Sequence, residues 1–187
     1  MNLPSPALLG ALFGASELAL ALFLRAKPGS SAQDKGSLRI LWLVIAASIG
    51  LAILAVTRLP GLGFPDSAIS YPVGVALFFC GLFLRWFSIF YLGRFFTVNV
   101  AIAADHRVVD TGPYRYVRHP SYTGALLAFV GYGICLSNFA SLLIILLPVS
   151  AAFHHRMRIE ESALSHALGQ AYTQYCTRTK RLLPFVY

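Results

Sequence analysis

The chain has 187 residues, enough for one domain. Hydrophobic residues make up 57% and charged residues only 12%, about half of what a soluble domain carries, and the mean hydropathy is +0.68; a surface covered by water is therefore excluded. The net charge of +8 comes without a dense Lys/Arg run, which argues against a nucleic-acid face and leaves the positive charge to mark membrane topology.

A membrane-spanning helix needs about 20 apolar residues. Three stretches reach that length: 6–24, 38–57 and 71–92. The first has no basic n-region before it and is followed by Arg25 and Lys27, so it is expected to be a retained helix rather than a leader. Two shorter apolar stretches follow, 121–136 and 139–153, separated only by Ser137 and Asn138, which predicts a tight helical hairpin. From residue 153 to 175 the pattern turns amphipathic, with Leu164, Leu168, Tyr172 and Tyr175 on one face. This predicts that the fifth helix continues into the cytosol and folds over a site, ending before Pro184. The expected fold is all-α, a polytopic transmembrane helical bundle of about five spans in a single domain. Residues 1–92 give three membrane helices, and 93–187 give a binding loop, the hairpin and the C-terminal helix.

Basic residues orient the bundle. Arg25, Lys27, Lys35 and Arg39 follow the first helix, Arg94, Arg107, Arg115 and Arg118 follow the third, and Arg156, Arg158, Arg178, Lys180 and Arg181 lie in the tail. On the opposite side stands Arg58. The N-terminus is thus expected outside and the C-terminus in the cytosol.

Polar residues concentrate at that cytosolic side. Arg156 and Glu160 are four apart, hence on one helix face, where they form either a simple surface ion pair or part of a site. His119 precedes Pro120, which holds it extended at the mouth of the fourth helix, where unpaired N–H groups favour an anion. A cap or interface role is the plainer alternative for His119. Tyr114, Tyr116 and Tyr122 suit either interface anchoring or stacking on an adenine ring or a sulfonium. Glu17 and Arg85 lie inside spans; Arg85 either snorkels toward the cytosol or pairs with Glu17. Cys80, Cys135 and Cys176 are far apart and no H-E-x-x-H occurs, so neither a disulfide nor a metal site is expected. Gly61-Leu62-Gly63 falls in a loop between spans, and no dinucleotide fingerprint, P-loop or nucleophile elbow is present.

The stretch 106–124, with its Arg118-His119-Pro120-Ser121-Tyr122-x-Gly124 core, resembles the isoprenylcysteine carboxyl methyltransferase family, as do 156–161, Gly169, Tyr172, Tyr175 and Leu183-Pro184-Phe185. The resemblance covers roughly the last 80 residues. It implies S-adenosylmethionine as cofactor, a lipophilic or prenylated acceptor and a pocket facing the cytosol. Carried over by position, it implies a cofactor pocket of His106, Arg107, Val108, Val109, Tyr114, His119, Pro120, Ser121, Tyr122 and Glu160, with Asn99 to Ala101 contributing upstream, and Arg156 engaging the substrate. A carboxylate acceptor is already ionised at neutral pH and needs no general base, consistent with the lack of a nucleophile–base set. A lipid amine or thiol acceptor, a sterol-type membrane reductase using NADPH, and a non-catalytic scaffold remain as alternatives.

Overall fold

The computed structural model describes residues 3–23, 31–32, 36–64, 67–96, 101–102, 107–184 and 186–187. Helix α1 spans Pro6–Phe23, α2 Ser37–Arg58, α3 Ser67–Leu92, α4 Pro120–Cys135, α5 Phe139–Leu168 and α6 Gln170–Arg178. Two short strands, β1 (Ser31–Ala32) and β2 (Ala101–Ile102), pair antiparallel beside them. Among the described residues four helices, α1, α2, α3 and α5, are long and apolar enough to cross a membrane. At 16 residues α4 is shorter than a typical span. Large apolar side chains such as Phe23, Leu43, Phe83 and Phe90 are exposed on the outer faces, as a lipid solvent requires.

Local chemistry sets the helix ends. Pro120 starts α4 at the position where a missing N–H costs least. Asn138 caps α5 by accepting from the Ser141 N–H at 3.1 Å, which closes the expected hairpin. The sequence predicts one continuous helix from 153 to 175. Instead Gly169, at φ 53°, breaks it, and α6 leaves in a new direction. Only glycine adopts that conformation without strain. The covering element at the site is therefore a separate short helix.

The closest packing joins α3 to α4. A Cβ on Gly124 would stand 2.5 Å from the Arg85 backbone nitrogen and 2.7 Å from the Gly81 carbonyl oxygen. Gly81 meets α4 in the same way. Small residues let the two backbones touch where lipid offers no hydrophobic driving force. Helices α2 and α5 form the second large pairing, and Ser141 Oγ donates to the Ala52 carbonyl across it at 2.7 Å.

The helix ends gather into two poles. At one, the Phe64 N–H donates to the Ser137 carbonyl at 3.0 Å and Asn138 Nδ2 to Leu59 O at 2.8 Å. At the other lie the C-terminal end of α1, the N-terminal ends of α2 and α4, and α6. The chain after α6 runs parallel to 117–119 there: the Arg118 N–H donates to Lys180 O at 2.7 Å and the His119 N–H to Arg181 O at 3.0 Å. A large cavity opens at this second pole.

Candidate active site

The cavity has an empty volume of about 1320 Å³, a figure that includes the open solvent at its entrance. Its wall mixes polar and apolar side chains. Arg107, Val108, Val109 and Tyr114 line it together with Tyr172 and Tyr175 of α6. Arg118, His119, Ser121, Tyr122, Arg156 and Glu160 add a polar cluster. Helices α1 and α2 and Phe153 contribute mostly apolar side chains, with Glu17 and Arg85 among the lining residues.

The polar level is tightly bonded. Tyr122 donates its O–H to Glu160 Oε1 and accepts from Arg156 Nε at 3.0 Å. Arg156 Nε also stands 3.2 Å from Glu160 Oε1, the four-residue pair expected from spacing. That pair is no surface feature: Arg156 is 2% exposed, and its Nη1 donates to Ser37 Oγ of α2 at 3.1 Å. A buried guanidinium held by three elements is a fixed cation, not a mobile one.

His119 does not cap α4 with its side chain. Its ring lies between two carboxylates, with Nδ1 3.6 Å from Glu160 Oε2 and Nε2 3.2 Å from Glu161 Oε1. It also stacks on Tyr122 at 5.5 Å between ring centroids. Glu161 gathers a second set of cations, receiving Arg118 Nε at 2.9 Å and Arg181 Nη2 at 2.7 Å. One acidic dipeptide thus ties the fourth helix to the tail. At the mouth, the Tyr175 O–H donates to Tyr114 O at 2.7 Å, and the Tyr114 O–H to Ser88 O at 3.2 Å. Burial pushes both phenols above their ordinary pKa, so each remains a neutral donor.

Of the sequence-predicted residues, Arg107, Val108, Val109, Tyr114, His119, Ser121, Tyr122, Arg156 and Glu160 all line this one cavity. Pro120 does not: it is fully buried in the first turn of α4, behind the wall. His106, Asn99 and Phe185 lie outside the described residues, and Ala101 belongs to β2. Sequence reasoning missed Arg118 and Glu161 as partners. It also missed Ser37, whose hydroxyl is an ordinary feature of a helix start. The intramembrane residues do pair: Arg85 Nε and Nη2 reach the two Glu17 oxygens at 2.5 and 2.7 Å, and Nη1 donates to Ser121 O at 3.3 Å. Both side chains line the cavity, so Arg85 does not snorkel away.

The long apolar helices define an integral membrane protein, with the cavity at one pole of the helical bundle. The model of the isoprenylcysteine carboxyl methyltransferase (ICMT) family matches residues 74–166, and the chain belongs to that family. It is 34% identical over 115 residues to protein-S-isoprenylcysteine O-methyltransferase B of Arabidopsis thaliana, covering 60% of this chain and 58% of that one. The Schizosaccharomyces pombe protein-S-isoprenylcysteine O-methyltransferase is 34% identical over 119 residues, covering 62% of this chain and 50% of its own. Among solved structures, the eukaryotic intramembrane Ras methyltransferase ICMT superposes with a TM-score of 0.59 at 28% identity, over 77% of this chain and 52% of that one. The chain thus spans between half and three fifths of the length of these relatives.

Proposed function

We infer that the chain transfers a methyl group from S-adenosylmethionine to the carboxylate of a lipophilic acceptor, an isoprenylcysteine or related isoprenoid acid, forming a methyl ester. The observation that carries this reading is the buried Tyr122–Glu160–Arg156 cluster, which lines one cavity together with aromatic and apolar side chains. The relatives named above are isoprenylcysteine methyltransferases, which favours methyl transfer over a nicotinamide-dependent reduction.

The residues at the mouth suit the cofactor's chemistry. Tyr114, Tyr172 and Tyr175 offer faces for a purine, Arg107 and Arg118 offer cations for a carboxylate, and Glu160 offers an anion for an ammonium or sulfonium. When bound, the sulfonium supplies an electrophilic methyl group, and an acceptor oxygen lone pair makes the new C–O bond as the C–S bond breaks, with no proton exchanged. Arg156 orients the ionised acceptor carboxylate. Tyr122, Glu160 and Ser37 keep that guanidinium from turning. His119 and Glu161 anchor the α4 mouth against the tail, and α6 covers the site against water.

Topology belongs to the same proposal. The site pole carries Arg39, Arg94, Arg107, Arg115, Arg118 and the basic tail, whereas the opposite pole carries Arg58, so the site faces the cytosol, with the N-terminus outside and the C-terminus inside. The whole chain acts as one domain, because α3 of the first stretch packs on α4 of the second. The test is transfer of labelled methyl to prenylcysteine analogues, fatty acids, amines and thiols by the purified protein. Methyl esters on prenylcysteine analogues are expected. Stabilisation by NADPH and not by S-adenosylmethionine, with no labelled product, would overturn the reading.

A further inference from the structure

Helix α5 presents two unlike faces. Val149, Phe153 and Arg156 are buried on the inward one, and Glu160 joins them at the cavity. The outward face is one exposed stripe of Leu143, Leu147, Ala151, His154 and Arg158, at the three- and four-residue spacing that aligns side chains on a helix. Leu147 is 66% exposed, as a lipid-facing side chain is. The stripe turns basic at His154, with His155 exposed beside it. Seven residues separate Leu147 from His154, a rise of about 10 Å. Over that distance the same face passes from acyl chains to lipid headgroups.

The chain after α6 is fixed at that same level. Thr123 Oγ1, in the first turn of α4, donates to Leu182 O at 2.8 Å, and the Tyr187 hydroxyl shares a hydrogen bond of 2.6 Å with His154 Nδ1. Arg181 Nη1 donates to the same hydroxyl at 3.2 Å. Leu183 stays exposed there, and Val186 is 74% exposed. Apolar side chains held beside a basic helix face suit the headgroup boundary, where acyl carbons cover them. The acidic residues nearby do not cancel the charge. Glu160 turns inward to Tyr122 and Arg156, and Glu161 to Arg118, His119 and Arg181. Arg158 makes no ion pair among the described residues.

We propose that the outward face of α5 binds an anionic phospholipid of the leaflet at the site pole, with its phosphate on His155 and Arg158 and its acyl chains along Leu143 and Leu147. A phospholipid matches both halves of the stripe. An acidic peptide would match only the basic end, and a neutral lipid only the apolar end. The uncompensated Arg158 favours a head of net negative charge over a zwitterionic one, whose own ammonium already offsets the phosphate. Arg181, held by Glu161 and Tyr187, adds a second guanidinium at the edge of the patch. Arg156 and Glu160 point away from this face, so the lipid site stands independently of the methyl-transfer reading.

The test is native mass spectrometry of the full chain, stripped of lipid in detergent and offered equimolar phosphatidylglycerol and phosphatidylcholine with identical acyl chains. Phosphatidylglycerol is expected to occupy the protein at least about fivefold more. His155→Gln with Arg158→Gln should bring the two lipids to within about twofold. Both side chains are exposed, so the unfolding temperature of this variant in lipid-free detergent should match the parent. Arg58→Gln, on the exposed end of α2 at the other pole, should leave the preference intact. Equal occupancy by the two lipids in the parent overturns the proposal, as does an unchanged preference in the double variant. Glycerol phosphate in large excess, which carries the phosphate without acyl chains, should not displace the bound lipid. If it does, the face recognises free phosphate and the phospholipid assignment falls.

Discussion

Along the seam between α3 and α4 the backbones touch through Gly81 and Gly124, whereas α1 meets the same helices through long side chains. Phe13 reaches Phe129, Ser16 Oγ accepts from Trp86 Nε1 at 2.7 Å, and Glu17 reaches Arg85. The first contact leaves no room for a ligand; the second holds a helix at a distance and leaves a chamber. In lipid, close approach of small residues supplies the packing energy, so the seam is the scaffold and the spaced helix is the wall of the site.

The comparison breaks most severely at the seam. Gly124→Leu drives a side chain into the α3 backbone, which no rotamer relieves. It should cost about 3 kcal/mol or more and abolish a monodisperse peak in detergent chromatography. Next comes the spacer. Glu17→Gln strands the buried Arg85, and thermal unfolding in detergent should report a loss of about 3 kcal/mol. The double variant Glu17→Gln with Arg85→Met should recover most of it, because neither charge is then left unpaired. If the single variant unfolds like the parent, the ion pair does not set the spacing of α1.

Smaller effects sharpen the site itself. Arg156→Ala should lower methyl transfer about 10- to 100-fold in a radiolabel assay and leave calorimetric cofactor affinity nearly unchanged. Tyr122→Phe removes the donor to Glu160 and the acceptor for Arg156, and should weaken cofactor binding about tenfold in the same calorimeter. Smallest is Arg178→Ala. Its pair with Asp110 is exposed on both sides, so unfolding temperature and transfer should both match the parent.

Much of the fold was legible because hydropathy acts along the chain. The ends of α1, α2 and α4 fall within a residue or so of the apolar stretches, and Asn138 marked the hairpin turn. Within the site, Arg156 and Glu160 share a helix and His119 to Tyr122 share a turn, so spacing alone grouped each set. What stayed hidden was pairing at long range. Arg181 reaches Glu161 over 20 residues and Arg118 reaches it over 43, whereas the Glu17–Arg85 pair, 68 residues apart, was one of two readings the sequence left open. The break at Gly169 was also missed, because the apolar pattern continues in phase across it.

The sequence by itself determined that this chain lives in a bilayer, which end of each helix carries charge, and which short motif begins α4, since each follows from the local cost of placing residues in lipid or water. Only the tertiary structure decided that Tyr122 and Ser37 both hold Arg156, that two carboxylates flank His119, and that Phe13 of α1 packs on Phe129 of α4. Those outcomes depend on how near two helices come, and that distance is set by the side chains of both at once.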